Sequence, residues 1–313
     1  MSQKIIIDTD PGVDDTIAIS VALRSPELEV IGLTSVFGNA TNEITAQNAL
    51  RLVELEGHVS IPVARGCDVP LVVELEMIAS DVHGYDGLGN TNLPAPKGKP
   101  LNKSAAEYII DTVRAYPGEV ILVPIGPLTN IAVALKADPE IAHLIKKIVL
   151  MGGAVSTPGN ISPVAEANIY HDPHAADIVM QAGCPVVMVG LDVTEKVIMT
   201  PQFFEEIFKV KNPVTDLIQR ILPVYQDYFN RFNGMAGSIH THDPSAIAYL
   251  LNPDLFQTTS VPVFVETEGR CKGQTVADWH KQWEQRPAIQ VCQEVESAGV
   301  LALIKDRLTK RVN

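Results

Sequence analysis

Residues 4–15 read KIIIDTDPGVDD. The β-branched apolar run predicts a short buried strand over Lys4–Asp10. Pro11-Gly12 marks a turn, and Asp14–Arg24 reads as a helix. The strand therefore ends in four carboxylates: Asp8, Asp10, Asp14 and Asp15. Asp8 and Asp10, two residues apart, share a face on a regular strand. Asp14 and Asp15 fall near a helix N-terminus, where free amides and the dipole favour negative charge. Helix amides alone are a thin remedy for so many neighbouring carboxylates.

Working outward, strands and helices alternate. Val30–Phe37, Ile61–Ala64, Glu119–Ile125, Lys147–Met151 and Val186–Gly190 read as strands, and 261–269, VPVFVETEG, is strand-like. Helices are expected up to about Glu56, then over Ser104–Tyr116, Leu128–Lys136, around His174–Gln181, from Pro244 to Leu250 and around Ser297–Arg307. Residues 65–103, rich in Gly, Pro and Asn, are too long for an ordinary connection and suggest an active-site loop. Pro201–Gly237 is expected to be mostly helical, with breaks at Asn212-Pro213 and at Pro223. The pattern indicates a three-layer α/β fold. Its open, mostly parallel, Rossmann-like sheet carries helices on both faces and an active site at the strand C-terminal ends. Residues 1–313 are expected to form one domain, with the helical segment near 201–237 flanking the pocket.

The chain has 313 residues and a formal net charge of -13, from 24 Lys plus Arg against 37 Asp plus Glu. That balance argues against nonspecific binding of nucleic acid or an anionic membrane. No signal peptide or membrane-spanning run is evident. Four cysteines far apart, with no CxxC, read as free thiols in a reducing compartment, so a cytoplasmic location is expected. The glycines at 126 and 152–153 match no phosphate-cradling pattern, so no nucleotide cofactor is expected.

A bound cation answers the crowding of carboxylates. Oxygen donors suit Ca²⁺ or Mg²⁺, and no Cys or His lies among them to suggest zinc. Ca²⁺ tolerates irregular geometry and several protein ligands, although Mg²⁺ is also compatible. A solvated acidic loop is the bland alternative. HTHDP at 240–244 places His242 and Asp243 just before a helix, where Asp243 could close a metal cage and His242 could relay protons; His240 is its neighbour and competitor. In TPGNISPVAEANIYHD at 157–172, Asn160, Glu166 and Asn168 offer donors and acceptors for a polyhydroxylated ligand. Glu166 and Asn168 also have the spacing of a strand face. Asn39 follows another strand end, and His83 sits in DVHGYDGLG, a Gly-rich loop able to close over a ligand.

The ordered set DTDPGVDD, VFGNAT, DVHGYDGLG, VPIGPLTNIA, LMGGA, AEANI, GLDVT and HDP resembles the inosine–uridine preferring nucleoside hydrolases over nearly the whole chain. The resemblance implies hydrolysis of the N-glycosidic bond of ribonucleosides to ribose and free base, with a Ca²⁺ cofactor. It implies Asp10, Asp15, Asp243 and the Ile125 carbonyl as metal ligands, with Asp10 also the general base. Asp14, Asn39, Asn160, Glu166 and Asn168 resemble the ribose-binding set, with Met151 lining the pocket. His242 resembles the histidine that helps the base leave, and His83 the pocket histidine near the base. Tyr225 and Tyr228 are candidates for the base pocket. The family also implies a homodimer or homotetramer. One departure is Ala167, where many members carry an aromatic residue; it bears on substrate preference. Two other readings are a haloacid dehalogenase-type phosphatase using Asp8 as nucleophile, and a ribose- or nucleoside-binding protein without turnover.

Overall fold

The computed structural model describes residues 2–283 and 285–310. Its first half runs β1 (Gln3–Thr9), α1 (Val13–Leu23), β2 (Leu28–Ser35), α2 (Asn42–Leu55), β3 (Val63–Arg65), α3 (Ser80–His83), α4 (Ala105–Ala115), β4 (Ile121–Pro124), α5 (Thr129–Ala137) and β5 (Lys147–Met151). There follow α6 (Ala167–His171), α7 (Pro173–Met180), β6 (Val186–Val189), α8 (Leu191–Thr194), β7 (Ile198–Met199), α9 (Pro201–Phe208) and α10 (Pro213–Asn233). The chain closes with β8 (Ile239–His240), α11 (Asp243–Leu251), β9 (Phe256–Val265), β10 (Thr275–Ala277), β11 (Ala288–Val295) and α12 (Ser297–Thr309).

Nine strands form one sheet in the order β10-β9-β11-β6-β5-β4-β1-β2-β3. The run from β11 to β3 is parallel, and β9 and β10 join antiparallel at one edge. A buried parallel strand must be apolar on both faces, which is why Ile5–Ile7 is an unbroken apolar run, fully buried. Ile5 and Ile7 pack into the core under α1, α10, α11 and α12, whereas Ile6 packs into the opposite core under α4, α5 and α7. Helices therefore cover both faces, as the alternating pattern indicates.

Local chemistry fixes several boundaries. Ser104 and Glu107 form a reciprocal cap at the start of α4. Asn212 accepts hydrogen bonds from Val214 and Thr215 at the start of α10, Pro213 takes the first helical position, and Gly234 ends the helix at φ 65°. The expected break at Asn212-Pro213 is present. The break at Pro223 is not, because α10 continues through it. Pro223 and Gln219, whose carbonyl loses its helical partner, both lie on the exposed side of α10, where solvent can satisfy that oxygen. No helix among the described residues is long and apolar enough to cross a membrane.

Candidate active site

After β1 the chain builds outward through β2 and β3, then returns to place β4 on the other side of β1. That reversal is a topological switch point, and the crevice beyond the carboxyl ends of β1 and β4 is where open α/β sheets bind ligands. Asp10 lies just past β1, and Ile125 just past β4. The Ile125 N–H donates to the Asp8 carbonyl at 2.8 Å, joining the two exits.

β1 ends at Thr9, so Asp10 leaves the strand's pleat and the expected shared face of Asp8 and Asp10 does not form. The Asp8 carboxylate instead receives hydrogen bonds from Thr34 Oγ1 and, at 2.7 Å, from Asn130 Nδ2. Burial pushes its pKa up to about 7, and its electrostatic partners are these two side chains rather than the other aspartates.

Asp10, Asp14, Asp15 and Asp243 gather at the crevice, all buried. Asp14, Asp15 and Asp243 each bring an oxygen within 4.8 Å of the others. Asp15 is the most firmly held: Thr9 Oγ1 donates to Oδ1, while the Gly12 N–H and Asn39 Nδ2 donate to Oδ2 at 2.9 Å. The Asn39 N–H donates to Asp10 Oδ2 at 2.7 Å. The other oxygen, Asp10 Oδ1, is buried and has no hydrogen-bond partner among the described residues. Two glycines make its space. A Cβ on Gly126 would approach Asp10 Oδ1 to 2.5 Å, and one on Gly38, at φ +149°, would collide with Asp10 Oδ2.

Burial raises the pKa of each of these four groups. For Asp10 the charges of Asp15 and Asp14 add to it, and for Asp243 those of Asp14, Asp15 and Asp10. Asp14 rises to about 7, with Asp15 as its main charged neighbour, and Asp15 rises chiefly by burial. Compressed negative charge, all-oxygen donors and an unpartnered buried carboxylate oxygen fit a hard divalent cation. Among the described residues the Ile125 carbonyl accepts one side-chain hydrogen bond, from Asn168 Nδ2 at 3.0 Å, which leaves it acceptor capacity.

Above these acids lies a cavity of about 220 Å³. Asp14, Asn39, Ile125 and Asp243 line it, whereas Asp10 and Asp15 do not. Met151, Asn160, Glu166 and Asn168 form another wall. The expectation of a strand face for Glu166 and Asn168 is corrected here: Glu166 caps α6 and Asn168 is in its first turn. Glu166 accepts from the N–H groups of Gly153, Asn168 and Ile169 at 2.9–3.1 Å, so its carboxylate orients two segments at once. Asn168 Nδ2 also donates to the Met151 carbonyl at 3.1 Å, and Asn160 Oδ1 accepts from the Ala167 N–H at 3.0 Å. Ala167 itself lines the cavity.

The far end holds His83, His242, Tyr225 and Tyr228. His242 Nδ1 lies 2.9 Å from Thr194 Oγ1, and burial with His240 and His83 nearby lowers its pKa to about 3. His83 Nδ1 accepts from the Val13 N–H at 3.1 Å, and burial lowers it likewise to about 3. Both rings are therefore neutral at ordinary pH. Tyr225 packs against His83 with ring centroids 5.1 Å apart, and its hydroxyl favours the charged form of Asp14. Tyr228 packs on Phe232 at 4.8 Å.

Apart from Asp8, the candidates from the sequence gather at one crevice, where all but Asp10 and Asp15 line the cavity. The sequence reading missed Glu195, Phe229, Asn233 and Ile78, which also line the cavity, and named His240 only as a competitor of His242. Phe229 and Asn233 follow Tyr225 at four-residue steps, a helical signal that could have found them. Glu195 and Ile78 carry no such signal, because tertiary packing alone brings them in.

The family model described as inosine-uridine preferring nucleoside hydrolase matches residues 5–302. The chain is 42% identical to an Arabidopsis thaliana protein named probable uridine nucleosidase 2, over 98% of this chain and 97% of that one. It is 43% identical to the pyrimidine-specific ribonucleoside hydrolase RihA of Shigella boydii serotype 4 (strain Sb227), over 98% and 99%. Among solved structures, the plant nucleoside hydrolase PpNRh1 superposes with a TM-score of 0.96 at 38% identity, covering 99% of this chain and 100% of that one. A purine-preferring ribonucleoside hydrolase from Gardnerella vaginalis gives 0.93 at 36% identity, covering 98% of each.

Proposed function

The chain belongs to the inosine-uridine preferring nucleoside hydrolase family and is an N-ribohydrolase of ribonucleosides; we propose that it acts with Ca²⁺ held by Asp10, Asp15, Asp243 and the Ile125 carbonyl, and with Asp10 as general base. The observation that carries this reading is Asp10 Oδ1. It is a buried carboxylate oxygen without a hydrogen-bond partner among the described residues, on an aspartate that feels the charges of Asp14, Asp15 and Asp243, and next to a glycine where a Cβ would crowd it. When bound, the cation supplies Lewis acidity and a fixed positive charge.

The protein's own groups do the rest. The Asn39 N–H anchors Asp10 Oδ2, which leaves Oδ1 as the atom that accepts a proton from the attacking water. Asp14, Asn39, Asn160 and Asn168 bind ribose hydroxyls, Met151 lines the pocket, and Glu166 fixes the wall through three amides. As the C–N bond breaks, the sugar gains oxocarbenium character, which the surrounding acid and amide oxygens stabilise. Attack on the face opposite the base gives inversion. Thr194 Oγ1, donating to His242 Nδ1, would place that neutral ring's proton on Nε2, ready to hydrogen-bond the departing base. His83, Tyr225 and Tyr228 flank the base end.

Relatives named uridine nucleosidase and pyrimidine-specific hydrolase support uridine as a substrate. The test is ribose release, measured as reducing sugar, from purine and pyrimidine ribonucleosides with Ca²⁺ present and metal content measured. Release, with loss in Asp10→Asn, supports the reading. Full kcat in Asp10→Asn overturns the role of Asp10. Intact nucleoside recovered from folded, Ca²⁺-loaded protein would favour a binding role instead. The family match favours the hydrolase over the phosphatase reading, and Thr34 and Asn130 both donate to Asp8 Oδ1, the oxygen a phosphatase nucleophile would need free if Oδ1 attacked.

A further inference from the structure

His240 ends the short strand β8, whose antiparallel pairing sets it opposite Ile198 of β7. Its Nδ1 lies 3.0 Å from the Glu195 carbonyl oxygen. A carbonyl can only accept, so Nδ1 carries the proton. Burial favours the neutral ring, and Nε2 is then a lone-pair acceptor. Nε2 has no hydrogen-bond partner among the described residues, and the half-buried ring lines the cavity with Glu195 and Asn233. The ring's angle is also fixed. Phe229 packs edge-on at 5.4 Å and 74°, and His242 lies 5.7 Å away at 44°. His242, next to Asp243 in the chain, is the ring proposed above to help the base leave, and His240, two residues earlier, lines the same cavity.

We propose that His240 is a specificity-determining residue, whose Nε2 accepts a hydrogen bond from a ring N–H flanked by carbonyl carbon, and so selects leaving bases that carry a lactam or imide N–H. This rests on the hydrolase reading above and adds a base-recognition contact to it. The rigid Nδ1–H···O=C bond is what gives the selection its sign. A ring locked with Nδ1 protonated cannot offer Nε2 as a donor without becoming charged, and burial opposes that. A base showing an unprotonated nitrogen or a methyl at that position meets lone pair against lone pair, or a clash. A site built around one hydrogen bond rejects analogues lacking the matching group more strongly than an apolar wall does.

The test uses the Ca²⁺-loaded full chain and four ribosides. Uridine and 3-methyluridine differ at the ring N–H. 5-Methyluridine carries the same methyl with that N–H intact, so bulk is controlled. p-Nitrophenyl β-riboside has no such edge and reports the reaction alone. Wild type is expected to favour 5-methyluridine over 3-methyluridine by about tenfold or more in kcat/KM, as one lost hydrogen bond implies. His240→Leu should bring that ratio to within about threefold, and His240→Gln, whose amide oxygen still accepts, should restore part of it. A ratio in His240→Leu equal to that of wild type, or a wild type that does not discriminate, overturns the proposal. Discrimination lost equally in both variants, without rescue by Gln, also overturns it, since that points to a packing role. If wild type cleaves none of the four, the hydrolase reading falls as well; cleavage of p-nitrophenyl riboside without nucleoside discrimination removes only the assignment to His240.

Discussion

The two ends of the cavity are built differently. The acid end is made of strand exits and a helix start, its carboxylates are all buried, and they are held by backbone amides: Gly12 and Asn39 donate to Asp15 and Asp10, and Gly153 to Glu166. The base end is made of α10, the two-stranded ribbon β7–β8 and the single-turn α3, attached around the sheet rather than within it. Its side chains include the partly exposed Tyr228, Asn233 and His240. Apart from His242, the groups proposed to meet the reacting atoms lie at the exits of the sheet, while those proposed to choose among bases sit on peripheral elements. Chemistry and selectivity should therefore be separable by mutation.

The largest effect is expected at the acid end. Asp10→Ala removes the proposed base and one cation ligand, and should lower kcat by roughly 10³-fold or more. Isothermal titration with Ca²⁺ should show weakened binding in the same variant; unchanged affinity would remove Asp10 from the ligand set. His242→Ala should lower kcat by about 10²-fold on nucleosides but far less on p-nitrophenyl riboside, whose leaving group needs no help. An equal loss on both would weaken a leaving-group role.

Gly126→Ala offers a finer cut. The added Cβ must displace Asp10 Oδ1, and a shift of about 1 Å can cost on the order of 10²-fold in kcat while binding of a ribose-containing inhibitor changes little. If kcat is unaffected, Asp10 has more freedom than its packing indicates. Removing the metal tests the end as a whole. Ca²⁺ at about 100 times its Kd should stabilise the fold by roughly 2.7 kcal/mol, read as a raised thermal midpoint that chelator reverses. The smallest effect is expected behind the site. Asp8→Asn keeps an oxygen for Thr34 and Asn130, so kcat should stay within about threefold, with a stability change near 1 kcal/mol. Loss of turnover there would return Asp8 to the reaction.

Much of the acid end was readable because its signals are local. KIII followed by acids marks a strand exit, and HDP before an apolar run marks a helix start. Asp10, Asp15, Asp243, Asn39 and Asn168 all reached the crevice. Where local reasoning failed, the cause was a local pattern with two meanings. Asp8 and Asp10 have strand spacing, but the strand stops at Thr9. Glu166 and Asn168 have it too, yet Glu166 is a helix cap. Pro223 reads as a breaker, but on an exposed helix face the orphaned carbonyl is tolerated.

By itself the sequence determined the α/β class, the parallel order of the layers' building blocks and the acids at the strand ends, because apolar periodicity and turn chemistry act over a few residues. The tertiary structure alone decided that β4 lies beside β1, that Asp10 keeps one oxygen free among the described residues, and that the Glu195 carbonyl takes the Nδ1 of His240. Those outcomes depend on partners far away in the chain: Asp8 with Ile125, Asp10 with Asn39, and His240 with Glu195. No local pattern encodes them, since each is set only when the sheet closes its switch point and brings distant hydrogen-bonding groups within about 3 Å.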